Sequence, residues 1–223
     1  MDRFVAKLVP STTPPPQPKW ETIPVDGAER DGFEFRICRG YLSKTQADEL
    51  FAHLDTLEFD EEKIRGFVAH RKTAMFGNKG LLYNYSGRTQ VLREWTEPLA
   101  SLKERINDEL AVTKSFEVNA ALVNFYPGLH AGIGWHTDNT SKDLVPNSTI
   151  FSLSLGCQRT FQVRRNDDEE RVIEFALPHG SLLAMSGTSQ QFTKHHVPKS
   201  TSKKLENGKR YNITFRASIE RDV

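Results

Sequence analysis

The 223-residue sequence predicts an α+β domain, with helices first and a jelly-roll-like β core after them. Three observations carry this prediction. Two segments before residue 110 repeat apolar residues at helical spacing. From Phe116 onward, six short stretches read as strands, and Gly, Pro, Asn or Asp separates each from the next. Hydrophobic residues make up 37% of the chain, enough to give one domain of this length a substantial core. Helices followed by many closely spaced short strands favour a two-layered β core over a helix-covered parallel sheet.

The elements follow in order. Residues 1–18 contain the proline-rich stretch 11–18, which favours extended, solvated chain, so they are expected to form a mobile tail ahead of a domain over 19–223. Residues 32–41 read as a strand with Phe33, Phe35 and Ile37 on one side. Ser43 is placed to cap a helix with Gln46 at the capping-box position, and Ala47, Leu50, Phe51, Leu54 and Leu57 follow at helical spacing. A second helix is expected from Thr96, with Pro98 in its first turn and Leu99, Leu102, Ile106 and Leu110 turned inward. The expected strands are 116–126, 148–156, 159–165, 171–177, 180–186 and 210–218. There is no internal repeat.

Composition excludes some classes. A formal net charge of +1 does not announce a nucleic-acid binder by charge alone, so any basic surface must be local. Cys38 and Cys157 lie far apart in no metal-ligand spacing, which argues against a disulfide-built fold and for a reducing compartment. No apolar run approaches the roughly 20 residues needed to cross a bilayer, and the N-terminal segment is interrupted too soon for a secretory signal. The expectation is a soluble, intracellular monomer with no membrane contact.

His136 and Asp138 lie two residues apart. On an extended segment both side chains leave the same face, ~7 Å apart along the strand. A third ligand can come from His195 or His196. Two histidines and a carboxylate make the facial triad of non-haem iron(II) oxygenases, which leaves three positions open. An isolated His-x-Asp is common without a metal; residues 210–216 add weight to it. Arg210, Asn212, Thr214 and Arg216 share one face of that strand, and Tyr211, Ile213 and Phe215 share the other. The two arginines, ~20 Å apart along the strand, can converge on the ends of a small dicarboxylate, which guanidinium groups match by paired hydrogen bonds.

Taken together, Asn124–Phe125–Tyr126, His136–Thr137–Asp138, His195–His196–Val197–Pro198 and the run 210–216 resemble the AlkB family of dioxygenases, in that family's order and approximate spacing. The likeness spans roughly residues 20–220, includes 76–87, and is nearest to the nuclear DNA-repair branch. It implies a double-stranded β-helix core of the cupin-like kind, carrying N-terminal helices and a nucleotide-recognition lid. It also implies Fe(II) held by His136, Asp138 and His195, the histidine ahead of the family's hydrophobic–proline turn, with 2-oxoglutarate and O2 as cosubstrates. Arg210 would hold the distal carboxylate of 2-oxoglutarate and Arg216 the chelating end. Asn124 and Tyr126 would add hydrogen bonds, with Asn212 between the arginines. The implied reaction oxidises the N-alkyl carbon of an N1-methyladenine- or N3-methylcytosine-type base, and the unstable hemiaminal then releases an aldehyde and the repaired base. Direct reversal of DNA damage is the implied role.

The same resemblance assigns Tyr85 to stacking on an extruded base, with Tyr83 and Ser86 beside it. Arg71 and Lys72 are candidates for phosphate contact. Phe67 or Ile64 is the candidate wedge between base steps. Relatives carry an acidic residue soon after the metal-binding aspartate, where this chain has Asn139 and Thr140. The acidic connection within 164–171 would repel phosphate and leans the reading toward single-stranded or locally opened substrate. Arg3–Lys7 resembles a short peptide that docks on PCNA, the sliding clamp, which points to the nucleus, with the cytoplasm as the alternative. Rival readings are an RNA base demethylase of the same family, a protein- or lipid-modifying oxygenase, and a non-catalytic jelly-roll binding module.

Overall fold

In chain order, a short strand β1 (Glu21–Ile23), one helical turn α1 (Ala28–Asp31) and the expected strand β2 (Phe33–Cys38) come first. Helix α2 (Lys44–Leu54) begins as its sequence predicts. Ser43 Oγ accepts from Gln46 N while the Gln46 side chain accepts from Ser43 N, closing the capping box. It ends three residues short of the expected Leu57, because the chain turns at Asp55 and Leu57 N donates back to Leu54 O at 3.1 Å. Strands β3 (Asp60–Ile64), β4 (Phe67–Gly77), β5 (Leu82–Tyr85) and β6 (Arg88–Val91) follow, and then helix α3 (Glu97–Leu110). The remaining elements are β7 (Ala120–Tyr126), β8 (Ile133–His136), β9 (Ile150–Gly156), β10 (Arg159–Arg165), β11 (Val172–Leu177), β12 (Ser181–Gly187), the turn α4 (Ser189–Phe192), β13 (Thr193–Val197) and β14 (Arg210–Arg216).

This computed structural model describes residues 18–64, 67–85, 88–110, 116–138, 144–200 and 208–219, without the side chains of 63, 64, 67, 82–85, 88–91 and 110. The Arg3–Lys7 peptide, Ser86, Asn139 and Thr140 lie outside the described residues. So do the side chains of Tyr83, Tyr85, Phe67, Ile64 and Leu110, although the backbone of those five is placed.

An eight-stranded sheet in the order β1-β2-β12-β9-β14-β7-β4-β3 faces a four-stranded sheet in the order β11-β10-β13-β8, and β5 pairs with β6 separately. Among the described residues, these strands pair with one another antiparallel throughout. This is the expected jelly-roll core. One apolar cluster, with Phe35, Ile37, Phe161, Val163, Leu183 and Met185, draws on β2, β10 and β12 of both sheets and fills the space between them. A second cluster sets Leu50 and Leu54 of α2 and Leu99, Leu102 and Ile106 of α3 against Val123, Leu153 and Ile213 on the outer face of the large sheet. Burial of this order removes about 1.5–3 kcal/mol of exposure cost per large side chain. No helix among the described residues is long and apolar enough to cross a membrane.

The topology places β14 centrally, hydrogen-bonded to β7 on one side and β9 on the other, with all seven residues buried. Its apolar residues Tyr211, Ile213 and Phe215 join the cluster under the helices. Its polar residues therefore face the inter-sheet space, where the site is built.

Candidate metal centre and cosubstrate cavity

Strands β8 and β13 pair with His136 directly opposite His195, and a bulge follows between His195 and Val197. Their ring centroids are 4.2 Å apart, and Phe161 stacks on His195 at 5.2 Å. Asp138 lies just past the end of β8, where its backbone N–H donates to Gln190 Oε1 on α4 at 2.8 Å. One ligand atom from each of His136, Asp138 and His195 lies within 4.8 Å of the others. His196, on the alternate face of β13, meets Gln162 Oε1 at 2.9 Å and tilts against Trp135 instead. Of the two adjacent histidines, the structure brings His195 to the cluster.

The donor set fits a divalent cation. His136 Nδ1 lies 2.7 Å from Gly134 O, which can only accept, so the proton sits on Nδ1 and Nε2 keeps its lone pair. Burial pulls the His136 imidazole down to about 4, and the neighbouring His195 adds to that, so the ring is neutral near pH 7. Burial alone would raise the Asp138 carboxyl. The Arg216 guanidinium, with His195 and His136, outweighs it and holds the group well below the usual carboxylate range. Two imidazoles and one carboxylate, with donor atoms this close, are a ligand set for ferrous iron.

A cavity of about 520 Å³ opens onto this cluster. Arg210, Asn212, Thr214 and Arg216 line it together, as their shared strand face predicts. Arg210 is 1% exposed, lies over the Tyr126 ring at 4.9 Å and donates from Nη2 to Ser154 Oγ at 3.0 Å. Its Nε and Nη1 are buried without a partner among the described residues. Buried guanidinium donors left open imply an anion that belongs there. Asn212 donates to Ser152 Oγ at 2.7 Å and Asn124 Nδ2 donates to Asn212 Oδ1 at 3.4 Å, so β7, β14 and β9 share one polar network on the cavity wall. Arg216 Nη2 donates to Asp138 Oδ1 at 2.7 Å.

Two sequence-based expectations are corrected. Arg71 was expected at the surface as a phosphate contact. It is 4% exposed, lines the cavity, donates from Nε to Asn124 Oδ1 at 3.2 Å and sits 2.5 Å from Glu62 Oε2. Alternation along β4 turns it inward and Lys72 to the opposite face, half-buried, so the two do not act as a pair. The acidic connection after β10 is also less repulsive than its composition suggests. Asp167 pairs with Arg165 at 2.6 Å and Glu169 with Arg164 at 3.0 Å, so arginines of the same segment offset its charge. Sequence reasoning missed Glu62, Ser152 and Gln190. Ser152 carried a signal, since it and Ser154 alternate with the apolar residues of β9 and so share one strand face; Glu62 and Gln190 carried none.

Comparison with known proteins agrees with this geometry. A family model described as "2OG-Fe(II) oxygenase superfamily" matches residues 34–216. The human protein named "DNA oxidative demethylase ALKBH2" is 30% identical over 217 residues, covering 89% of this chain and 77% of the human one. The mouse "Alpha-ketoglutarate-dependent dioxygenase alkB homolog 3" is 35% identical over 197 residues, covering 81% of this chain and 65% of the mouse one. A solved structure of OsALKBH1 superposes with a TM-score of 0.58 at 19% identity, over 82% of this chain and 97% of that one, and shares the fold. The chain thus belongs to the 2-oxoglutarate- and Fe(II)-dependent oxygenases and, within them, to the AlkB family. It is a dioxygenase that uses Fe(II), 2-oxoglutarate and O2.

Proposed function

We propose that this dioxygenase removes alkyl groups oxidatively from damaged bases in DNA and so restores them directly. The observation that carries the reading is the pairing of the His136–Asp138–His195 cluster with open arginine donors in one cavity. Relatives named as DNA oxidative demethylases support the choice of substrate.

His136, Asp138 and His195 hold the ferrous ion, which when bound supplies the oxidation of an N-alkyl carbon at the expense of 2-oxoglutarate and O2. The rest of the work is positional. Arg210 takes the distal carboxylate of 2-oxoglutarate on its open Nε and Nη1, with Tyr126 below it. Asn124 and Asn212 fix the middle of the keto acid through the wall network. Arg216 keeps Asp138 ionised and in place and offers its charge to the chelating end of the keto acid. Phe161 stacks on His195 and Met185 lines the cavity near the cluster, so water is thinned around the reacting carbon. No side chain acts as a nucleophile, and the hydroxylated alkyl group leaves by collapse of its own hemiaminal.

The base reaches this depth by leaving its stack, and Tyr85 is the stacking partner, with Tyr83 and Ser86 beside it and Phe67 filling the gap left behind. With Arg71 turned inward, the strand's phosphates are left to other groups at the rim, where Lys199 is exposed. The protein works in the nucleus, and Arg3–Lys7 tethers it to PCNA. The test is turnover on matched oligonucleotides carrying N1-methyladenine in single-stranded DNA, duplex DNA and RNA. Faster aldehyde release from DNA supports the reading; release from RNA alone makes it an RNA demethylase.

A further inference from the structure

Two carboxylates line the cavity among the described residues, Asp138 and Glu62. Asp138 is committed to the metal cluster and to Arg216. Glu62 stands apart from that cluster, on β3, in the strand pair that forms the edge of the large sheet. It is 9% exposed, and Arg71 Nη2 lies 2.5 Å from its Oε2. Arg71 in turn holds Asn124. Glu62 is thus seated by a cation and aimed at the same cavity as the iron ligands, without ligating anything itself. A carboxylate has two oxygens and about four lone-pair sites, so one guanidinium contact leaves acceptor capacity unused.

Resting on the proposed base-dealkylation reading, we infer that Glu62 selects the base: it accepts from the exocyclic amine of a cationic alkylated adenine or cytosine. The chemistry is specific. Alkylation at the ring nitrogen of the pairing edge leaves adenine or cytosine positively charged beside an amine donor. Thymine alkylated at N3 stays neutral and presents carbonyls on both sides of the alkyl group. Carboxylates read the cytosine amine in protein–nucleic acid contacts for the same reason. Glu62 also offsets the Arg71 charge, so the cavity wall beside the base does not repel a cation. Against an alkylated thymine, the carboxylate would face a carbonyl, leaving two acceptors opposed with no proton between them. A site built to bind a donor rejects the analogue that lacks it more strongly than one that merely fills space.

The experiment compares the wild type, Glu62→Gln and Glu62→Asp, loaded with Fe(II) and 2-oxoglutarate without oxygen. Each is titrated with single-stranded oligonucleotides identical except for one N3-methylcytosine or one N3-methylthymine. The expected result is a wild-type preference for N3-methylcytosine that falls at least tenfold in Glu62→Gln and is largely restored in Glu62→Asp. The absorption change on 2-oxoglutarate binding, followed in parallel, shows that the metal centre stays intact. If the ratio of the two affinities is the same in wild type and Glu62→Gln, the assignment of Glu62 is wrong while the proposed activity stands. If the wild type releases aldehyde from no alkylated oligonucleotide after air is admitted, the activity itself fails and the Glu62 assignment falls with it.

Discussion

Arg216 donates from Nη2 to Asp138 Oδ1 at 2.7 Å, and the other oxygen of the same carboxylate lies 3.4 Å from His195 Nε2. One strand thus carries both Arg210, proposed to hold the cosubstrate, and the residue that orients the carboxylate of the His136–Asp138–His195 cluster. Arg216 and Asp138 are both almost fully withdrawn from water, where an unpaired charge is costly.

Replacing Arg216 with Met is expected to weaken iron binding by roughly 10- to 100-fold, the usual effect of removing a group that orients a metal ligand. Anaerobic metal titration of the purified variant measures this. Unchanged affinity would mean that Asp138 is held by other contacts.

His195→Ala is expected to lose iron binding by more than about 100-fold, whereas His196→Ala, which gives up its Gln162 contact on the outer face, is expected to stay within about twofold of wild type. The same titration separates the two. A reversal would place His196 in the metal site and overturn the register of β13.

Arg210→Met removes the two open donors at the far end of the cavity. Charge-assisted hydrogen bonds of this kind contribute about 1.5–3 kcal/mol each, about 3–6 kcal/mol for the two, so the Kd for 2-oxoglutarate should rise by at least roughly 100-fold. The loss should be much smaller for a keto acid that lacks the distal carboxylate. An equal loss for both acids would show that Arg210 serves the fold alone.

Much of the site was legible in the sequence because regular strands translate spacing into direction. The alternation in 210–216 gave both faces of β14, and the His-x-Asp spacing gave two members of the cluster. The choice between His195 and His196 followed from motif order, and the geometry of β13 agrees with it. What stayed hidden depends on pairing between distant segments. Residues 60–77 carry charges at both alternation phases, so neither β3 nor β4 was anticipated, and Arg71 was paired with Lys72 as a candidate phosphate contact. Only the register of β4 against β7, with Thr73 opposite Asn124, turns Arg71 toward the cavity. Glu62 and Gln190 act across gaps of 9 and 52 residues, to Arg71 and Asp138, and leave no local trace.

Stability offers a check on the helical layer. Ser43→Ala opens the capping box of α2 and should cost about 1 kcal/mol, a fall of a few degrees in Tm for a domain of this size. Calorimetric unfolding measures it, and an unchanged Tm would show that packing alone starts the helix.

His53 on α2 meets Thr96 Oγ1 at 2.9 Å beside the start of α3, and burial lowers its pKa below the ordinary histidine value of about 6.5. The folded state therefore binds fewer protons than the unfolded chain below that value. The contribution is whole above about pH 6.5 and is lost as pH falls from there through the folded-state pKa. His53→Gln keeps a partner for Thr96 without titrating. Its stability relative to wild type should therefore improve between pH 7.5 and pH 5, and parallel unfolding curves across that range would contradict the argument.

The most direct test is a crystal structure of the protein grown anaerobically with Fe(II) and 2-oxoglutarate, with the metal located by anomalous scattering. The expected result is one iron bound by His136, Asp138 and His195, and the distal carboxylate of 2-oxoglutarate on Arg210. Iron elsewhere, His196 as a ligand, or a keto acid that leaves Arg210 untouched would contradict it.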